Sequence, residues 1–468
     1  MRTFEIRTRL PHPARDVFAW HARPGALTRL SPAWAMRVVA EASPPLQPGT
    51  VARLRAGVPL TRGLVRLPFA SRMEAGPQPM SFVDRMVRGP FRRWEHTHLF
   101  LGDDECELVD HIRWEAPFWM PRRLVNRTLA ATFDARAARL RSELDHAAEL
   151  TARFPGGLRV LMGGASGLVG TQVAALLTTL GHEVRRLVRR DPRSGEARWD
   201  PDRGELDPAD VAWADAVVHL GGATIGRRFT AQGKRLILQS RVDSTRLLAE
   251  AIVALPEADR PGVFVCSSAT GFYGARRPGE DLTEDSTSGE GFLAEVCRAW
   301  EREAARVEEV GVRRVSVRSG VVASTLGGTL PLQLPLFLLG LGGTLGDPRA
   351  HLPWVSLDDA ARAYLRAVVD PALHGPVNAV APEPVTQAEY AATLARLCRR
   401  PAWLPVPRFG PRLLLGREGA EELAFADQRV VPARLTEVGF RFSHPHLAQA
   451  LAETTGLTAS GPSGTGRC

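Results

Sequence analysis

Apolar and polar positions follow two different periods along the first 150 residues. Residues 3–10 alternate and read as a strand, residues 13–20 and 25–30 read as short helices, and several further strands fall between about residues 35 and 115. Leu124, Leu129, Phe133, Ala137, Leu140 and Leu144 then recur near helical spacing, which predicts one long helix over 122–150. One strand, two short helices, a run of antiparallel strands and a long closing helix predict an α+β helix-grip arrangement. A curved sheet would wrap the helix and leave a cavity between them.

The pattern changes after the linker Phe154-Pro155-Gly156-Gly157. Strands are expected from Leu158, at 183–188, at 215–220 as the third of the series, and at 263–266, 313–321 and 375–380, with helical stretches between them. This alternation predicts an α/β, doubly wound parallel sheet. The expected divisions are 1–150, 158–380, a helical portion at 381–457 and a disordered tail at 458–468.

The strand from Leu158 runs directly into glycines at 164, 167 and 170, and residues 168–180 read as an amphipathic helix ended by Gly181. That spacing predicts a Rossmann-type dinucleotide turn. A side chain at Gly164 would crowd the turn, one at Gly167 would hold the pyrophosphate off the backbone, and one at Gly170 would keep the helix from its strand. Ser166, Leu168 and Val169 complete the candidate phosphate cradle. The second strand ends in Arg189 and Arg190, where an NAD site usually carries an acid, so NADP(H) is favoured over NAD(H). Gly221, Gly222 and Ala223 follow the third strand and are expected to line the cofactor. Lys234 and Arg241 could bind phosphate or orient the nicotinamide, or lie on a solvated helix face.

Composition narrows the function classes. The chain has 468 residues, 44% hydrophobic and 24% charged, with a formal net charge of +9. Its length calls for two or three domains. Lys234 is the only lysine, and the arginines are scattered, without a basic block interleaved with aromatics. A nucleic-acid partner is therefore not expected. Five separated cysteines without metal-ligand spacing, an N-terminus without a signal-peptide core, and a most apolar stretch (330–343) interrupted by Pro331 and Pro335 predict a cytoplasmic protein without a membrane span. His96 and His98 share one face of an expected strand, with Asp84 and Asp110 on its neighbours. They could hold a ligand or a metal in the cavity, or be satisfied polar residues of a sheet face. Two histidines without a third defined ligand do not establish a metal site, and none is predicted.

Two resemblances add to this reading. Residues 1–150 resemble the SRPBCC superfamily of START-like domains through Val17-Phe18-Ala19-Trp20-His21, residues 25–30 and residues 89–98, which implies an apolar-ligand cavity. The remainder is similar to extended short-chain dehydrogenase/reductases, and within them to the atypical "epimerase family", through residues 164–170, 267–274 and 291–297, Trp300-Glu301, Arg318-Ser319-Gly320, residues 354–359, Asn378-Ala379-Val380-Ala381-Pro382 and Gly439-Phe440-Arg441-Phe442. The resemblance implies a serine that polarises the substrate oxygen, matched by Ser268, with Ser267 beside the cofactor. It also implies a Tyr-x-x-x-Lys pair, but those positions fall near Leu293 and Cys297. Tyr273 becomes the leading substitute proton donor. Arg318, Trp354 and Asp358 are expected near the substrate cleft, together with the loop 340–347, although Trp354 is more often packed than a substrate platform and Asp358 could equally cap the helix beginning near Asp359. Cys297 is expected to be packed, and Gly416-Arg417-Glu418 stands where many members carry Gly-Glu. The expected protein is thus an NADP(H)-binding oxidoreductase or epimerase-like enzyme for a small organic substrate. Its alternatives are a non-catalytic NADP(H) sensor or scaffold and a lipophilic-ligand carrier.

Overall fold

The computed structural model describes residues 1–59, 61–117 and 120–457; the expected tail at 458–468 lies outside them. The first unit contains β1 (Arg2–Leu10), α1 (Ala14–His21), α2 (Ala26–Leu30), β2 (Met36–Ala40), β3 (Val51–Gly57), β4 (Arg66–Ala75), β5 (Ser81–Arg88), β6 (Arg93–Leu101), β7 (Cys106–Glu115) and α3 (Arg122–Arg153). Its strands form one antiparallel sheet in the order β1-β7-β6-β5-β4-β3-β2. Period-two burial along β6 puts His96, His98 and Phe100 on the inner face, while Leu129, Phe133, Leu140 and Leu144 of α3 are also buried. A cavity of about 370 Å³ remains between sheet and helix.

The second unit is built on an eight-stranded sheet. Its strands are β8 (Arg159–Gly163), β9 (Glu183–Val188), β10 (Glu196–Asp200), β11 (Glu205–Leu206), β12 (Ala216–His219), β13 (Val263–Ala269), β15 (Arg313–Ser319) and β19 (Gly375–Ala379). The order is β11-β10-β9-β8-β12-β13-β15-β19, parallel except for β11. The strand expected third, at 215–220, is β12; β10 and β11 precede it in sequence and extend the opposite edge. The chain reverses its direction of growth between β8 and β12, the place where such sheets open a ligand crevice. Helices α4 (Leu168–Thr179) and α9 (Leu357–Val369) pack on one face, and α5 (Pro208–Ala212), α6 (Ala231–Ala254) and α7 (Phe292–Ala305) on the other.

Short pairs of strands complete the unit. β14 (Arg276–Leu282) pairs with β21 (Asp427–Val430), β16 (Val321–Ala323) with β18 (Trp354–Ser356), and β17 (His351–Leu352) with β20 (Val385–Thr386). The portion after 381, expected to be helical, therefore contributes two strands besides α10 (Gln387–Cys398), α11 (Phe409–Gly419), α12 (Ala433–Glu437) and α13 (Leu447–Thr455). α8 is Leu330–Leu338. Helix starts follow their caps: the Thr230 hydroxyl accepts from Gly233 N in α6, Ser356 accepts from Asp359 N in α9, and Thr386 with Glu389 forms a capping box in α10.

One expectation fails informatively. α4 is not amphipathic, since Val173, Ala174, Ala175, Leu176 and Leu177 are all buried. The sheet covers one side, and α2 of the first unit covers another. A Cβ on Gly25, which has φ +95°, would lie 2.6 Å from Ala175 Cα, while Thr178 Oγ1 donates to the Pro24 carbonyl at 2.5 Å and Arg23 Nη1 donates to the Thr179 carbonyl at 2.6 Å. Beside this contact lies a buried ionic cluster. Arg29 and Arg139 pair with Glu143 and Asp358, and Arg362 reaches Asp358 at 2.9 Å and Glu143 at 3.1 Å. Asp358, expected at the substrate cleft, instead joins the two units.

Candidate functional site

The dinucleotide turn has the geometry its glycines demand. Gly164 adopts φ +80°, and a Cβ on it would stand 2.5 Å from the carbonyl carbon of Leu220. A Cβ on Gly170 would lie 2.2 Å from the Gly164 carbonyl oxygen, so this glycine lets α4 close on the turn itself rather than on the strand. Gly167 differs. Its Cβ would meet only the Gly164 oxygen, at 3.3 Å, and the residue is exposed beside Ser166 at the start of α4, with Leu168 and Val169 half-buried behind them. The open side of the turn is thus backbone at a helix N-terminus, suited to an anion.

Beyond β9 the two arginines separate in role. Arg190 is held by Glu196 at 2.6 Å and by the Asp191 carbonyl at 2.8 Å, whereas the exposed Arg189 has a 3.4 Å contact with Asp202. Arg189 is the one available to a new anion. After β12, Gly221 and Gly222 face protein side chains: a Cβ would come 2.6 Å from His219 Cε1 at the first and 3.0 Å from Arg241 Cζ at the second. Arg241 donates to the carbonyls of Ala223 and Ile237, both at 3.0 Å, and lies over Trp300 at 5.0 Å. Burial lowers its pKa. Lys234 is not free for phosphate, because its ammonium contacts both Glu418 oxygens, at 2.8 and 3.1 Å.

The residues expected to do chemistry are drawn into one buried network. Ser268 donates to Glu301 at 2.6 Å, and Glu301 binds Arg318 through both oxygens at 2.9 Å. Arg318 also donates to the Tyr273 hydroxyl at 3.0 Å and stacks on Phe272 at 3.4 Å; Tyr273 donates to Asn378 Oδ1 at 2.7 Å. Tyr273 is 0% exposed, and burial, opposed by Arg318, pushes its hydroxyl up to about 12. Its proton is committed and its lone pair occupied, which corrects its assignment as proton donor. Arg318 is likewise a buried structural cation and not a substrate contact. Trp354 is 2% exposed in a core with Leu334, Phe337 and Leu394, so it offers no substrate platform. Ser267 shares a 2.5 Å hydrogen bond with Tyr364. Cys297 is packed, its thiol raised by burial to about 11.

Glu301, Glu418 and Glu422 are the residues sequence reasoning missed. Glu422 accepts from the backbone N–H groups of Phe292 and Leu293 at 2.8 and 2.7 Å, capping α7 from the C-terminal portion. The loop 340–347, expected near the cleft, is tied to that same portion, since Val406 N donates to the Thr344 carbonyl at 2.9 Å. The only available signals were Glu301 within the resemblance and the unusual Gly416-Arg417-Glu418.

In the first unit, His96 Nε2 lies 2.9 Å from Asp110, and His98 lies 2.8 Å from Asp110 and 3.4 Å from Asp84. Burial, reinforced by His98, takes His96 down to about 4; for His98 burial is outweighed by Asp110 and Asp84, which raise it. Both rings line the cavity with Phe82, Leu27, Leu30 and Phe133. Among the described residues no helix is long and apolar enough to cross a membrane.

Comparison with known proteins agrees with this geometry. Residues 160–379 match the NAD dependent epimerase/dehydratase family and residues 406–454 match a domain of unknown function, DUF1731. The chain is 38% identical over 298 residues to epimerase family protein MT2273 of Mycobacterium tuberculosis, covering 63% of this chain and 97% of that protein. A crystal structure described as the nucleoside-diphosphate sugar epimerase from Corynebacterium glutamicum has a TM-score of 0.79 at 32% identity, covering 97% of this chain and 90% of that one. The crystal structure of human epimerase family protein SDR39U1 (isoform2) with NADPH gives 0.58 at 33% identity, covering 64% and 99%. With the turn, the sheet order and the relatives in agreement, the chain belongs to the epimerase family.

Proposed function

We propose that the protein binds NADP(H) and passes a hydride between nicotinamide and a small organic substrate, as an oxidoreductase or epimerase-like enzyme. The turn at 164–170 carries this reading: it sits at the sheet's switch point, and its exposed backbone at Ser166 and Gly167 opens at the α4 N-terminus. Exposed Arg189 suits a 2′-phosphate, and the human relative's complex with NADPH supports the same cofactor. Ser268 would orient the substrate oxygen. Because its own proton goes to Glu301, it meets substrate as an acceptor, which suits a hydroxyl better than a carbonyl. Arg241 would hold cofactor phosphate or ribose in place of the absent lysine. The first unit is read as an SRPBCC/START-like domain that takes an apolar ligand in its cavity; both units act in the cytoplasm.

One observation favours a second reading, a non-catalytic NADP(H) sensor: the usual donor's position falls near Leu293, and its substitute Tyr273 is sealed. NADPH titration followed by steady-state consumption across carbonyl and sugar-nucleotide panels decides between them. Turnover supports the enzyme, binding without turnover supports the sensor, and absence of binding overturns both.

A further inference from the structure

We propose that Asp84, His96 and His98 form a site for one divalent transition-metal cation on the wall of the N-terminal cavity. The two histidines share a face of β6, and the sheet supplies the third donor that the linear sequence lacks. Its register sets Asp84 opposite His96 on β5 and Asp110 opposite His98 on β7. One donor atom from each of Asp84, His96 and His98 lies within 4.8 Å of the others.

The contacts divide the cluster into ligands and an outer support. Asp110 is hydrogen-bonded to Nε2 of His96 at 2.9 Å and lies 2.8 Å from Nδ1 of His98, a charge contact without hydrogen-bond geometry. Metal-bound histidines are oriented as His96 is, with the second ring nitrogen on an outer carboxylate. The arrangement leaves Nδ1 of His96, which has no hydrogen-bond partner among the described residues, and Nε2 of His98. That Nε2 stands 3.4 Å from Asp84 Oδ2. The separation is long for a hydrogen bond. It is close to the spacing of about 3.3 Å between two donors bound at about 2.0–2.1 Å to one tetrahedral ion.

Packing keeps the donors in place. Phe82 stacks on His98 at 4.1 Å between centroids, and Phe133 presents its edge to His96 at 5.3 Å. The cavity supplies open coordination space for water or the polar end of a ligand. His21 lines the same cavity, 6% exposed, with its Nε2 unpartnered. Two imidazoles, one carboxylate and an open position suit zinc, iron(II), cobalt(II) or nickel(II); calcium and magnesium prefer all-oxygen shells. This inference does not depend on the nucleotide reading of the second unit.

The test uses the full chain, without an added histidine tag and stripped with a chelator. It is titrated with cobalt(II), followed by calorimetry and by visible absorption. One cobalt per chain with a protein-bound spectrum is expected. Asp84→Asn and His96→Gln, shown to be folded by circular dichroism, should lose that binding, and Asp110→Asn should weaken it about 10- to 100-fold. No stoichiometric uptake by the native chain, or uptake that Asp84→Asn and His96→Gln leave unchanged, would overturn the site.

Discussion

The ammonium of Lys234, on the first turn of α6, lies 2.8 Å from the carboxylate of Glu418 in α11. The pair ties the C-terminal portion to the rim of the nucleotide unit. Both side chains are about one-third to one-half exposed, so a double-mutant cycle with Lys234→Met and Glu418→Gln should give a coupling of no more than about 1 kcal/mol. NADPH affinity, measured on the same variants, should stay within about twofold, because the ammonium already has its anion.

Gly167 and Gly170 should separate binding from folding. Gly167→Ala meets the Gly164 carbonyl oxygen at 3.3 Å, a contact relieved by a shift of a few tenths of an ångström, and should lower the melting temperature much less than Gly170→Ala, yet NADPH affinity should fall at least about tenfold as the methyl group enters the anion's approach. Gly170→Ala drives a methyl into the Gly164 carbonyl and should lower the melting temperature itself. Thermal denaturation beside fluorescence titration distinguishes the two, and equal melting losses would refute the assignment.

Arg189→Asp should weaken NADPH by about 10- to 100-fold, the worth of a charge-assisted hydrogen bond, while NADH affinity holds or improves. Arg190→Asp also loses Glu196, so it should cost some stability as well. Unchanged NADPH affinity in Arg189→Asp would remove the phosphate assignment.

Breaking the buried pair is a stability experiment. Glu301→Gln leaves the Arg318 guanidinium buried without its anion and should cost about 3–5 kcal/mol by denaturant unfolding. Tyr273→Phe should cost about 1 kcal/mol and leave any turnover unchanged. Loss of turnover with retained stability would restore the tyrosine to the chemistry.

The joint between units should depend on pH. Glu453 faces His444 at 2.9 Å and also pairs with Arg139; burial opposes its ionisation, but Arg139 and His444 win and hold it at about 2 against an ordinary 4.5. Its stabilisation is complete above 4.5 and is lost as pH falls toward 2. His444, beside Glu453, Asp359 and Asp358, is raised above 6.5 despite burial, so its stabilisation is complete below 6.5 and is lost as pH rises through the folded value. Melting temperatures of native and His444→Gln protein should therefore differ most near about pH 5.5 and converge in alkali.

The doubly wound parallel sheet was legible because it rests on a local pattern, the strand–turn–helix succession from Leu158, as the strands β6 and β7 rest on alternation. The glycine turn was legible because its constraints act within seven residues. The fate of Tyr273, Arg318 and Trp354 was not, since it is set by Asn378, Glu301 and Glu383, which lie 105, 17 and 29 positions away. Asp84 was placed on a flanking strand, while its direct pairing with His96 is set by the register of β5 and β6. α4 was misread because a run of five apolar residues, 173–177, cannot belong to one helix face; it signalled a second covering surface whose identity lay 150 residues upstream.

That doubly covered helix has a consequence for the family. MT2273 matches over 97% of its own length yet aligns with only 63% of this chain. Residues 156–457 produced alone should bare only the side of α4 around Ala175 and Thr178 that α2 covers here, and their melting temperature, compared with that of the full chain, measures what the cover contributes.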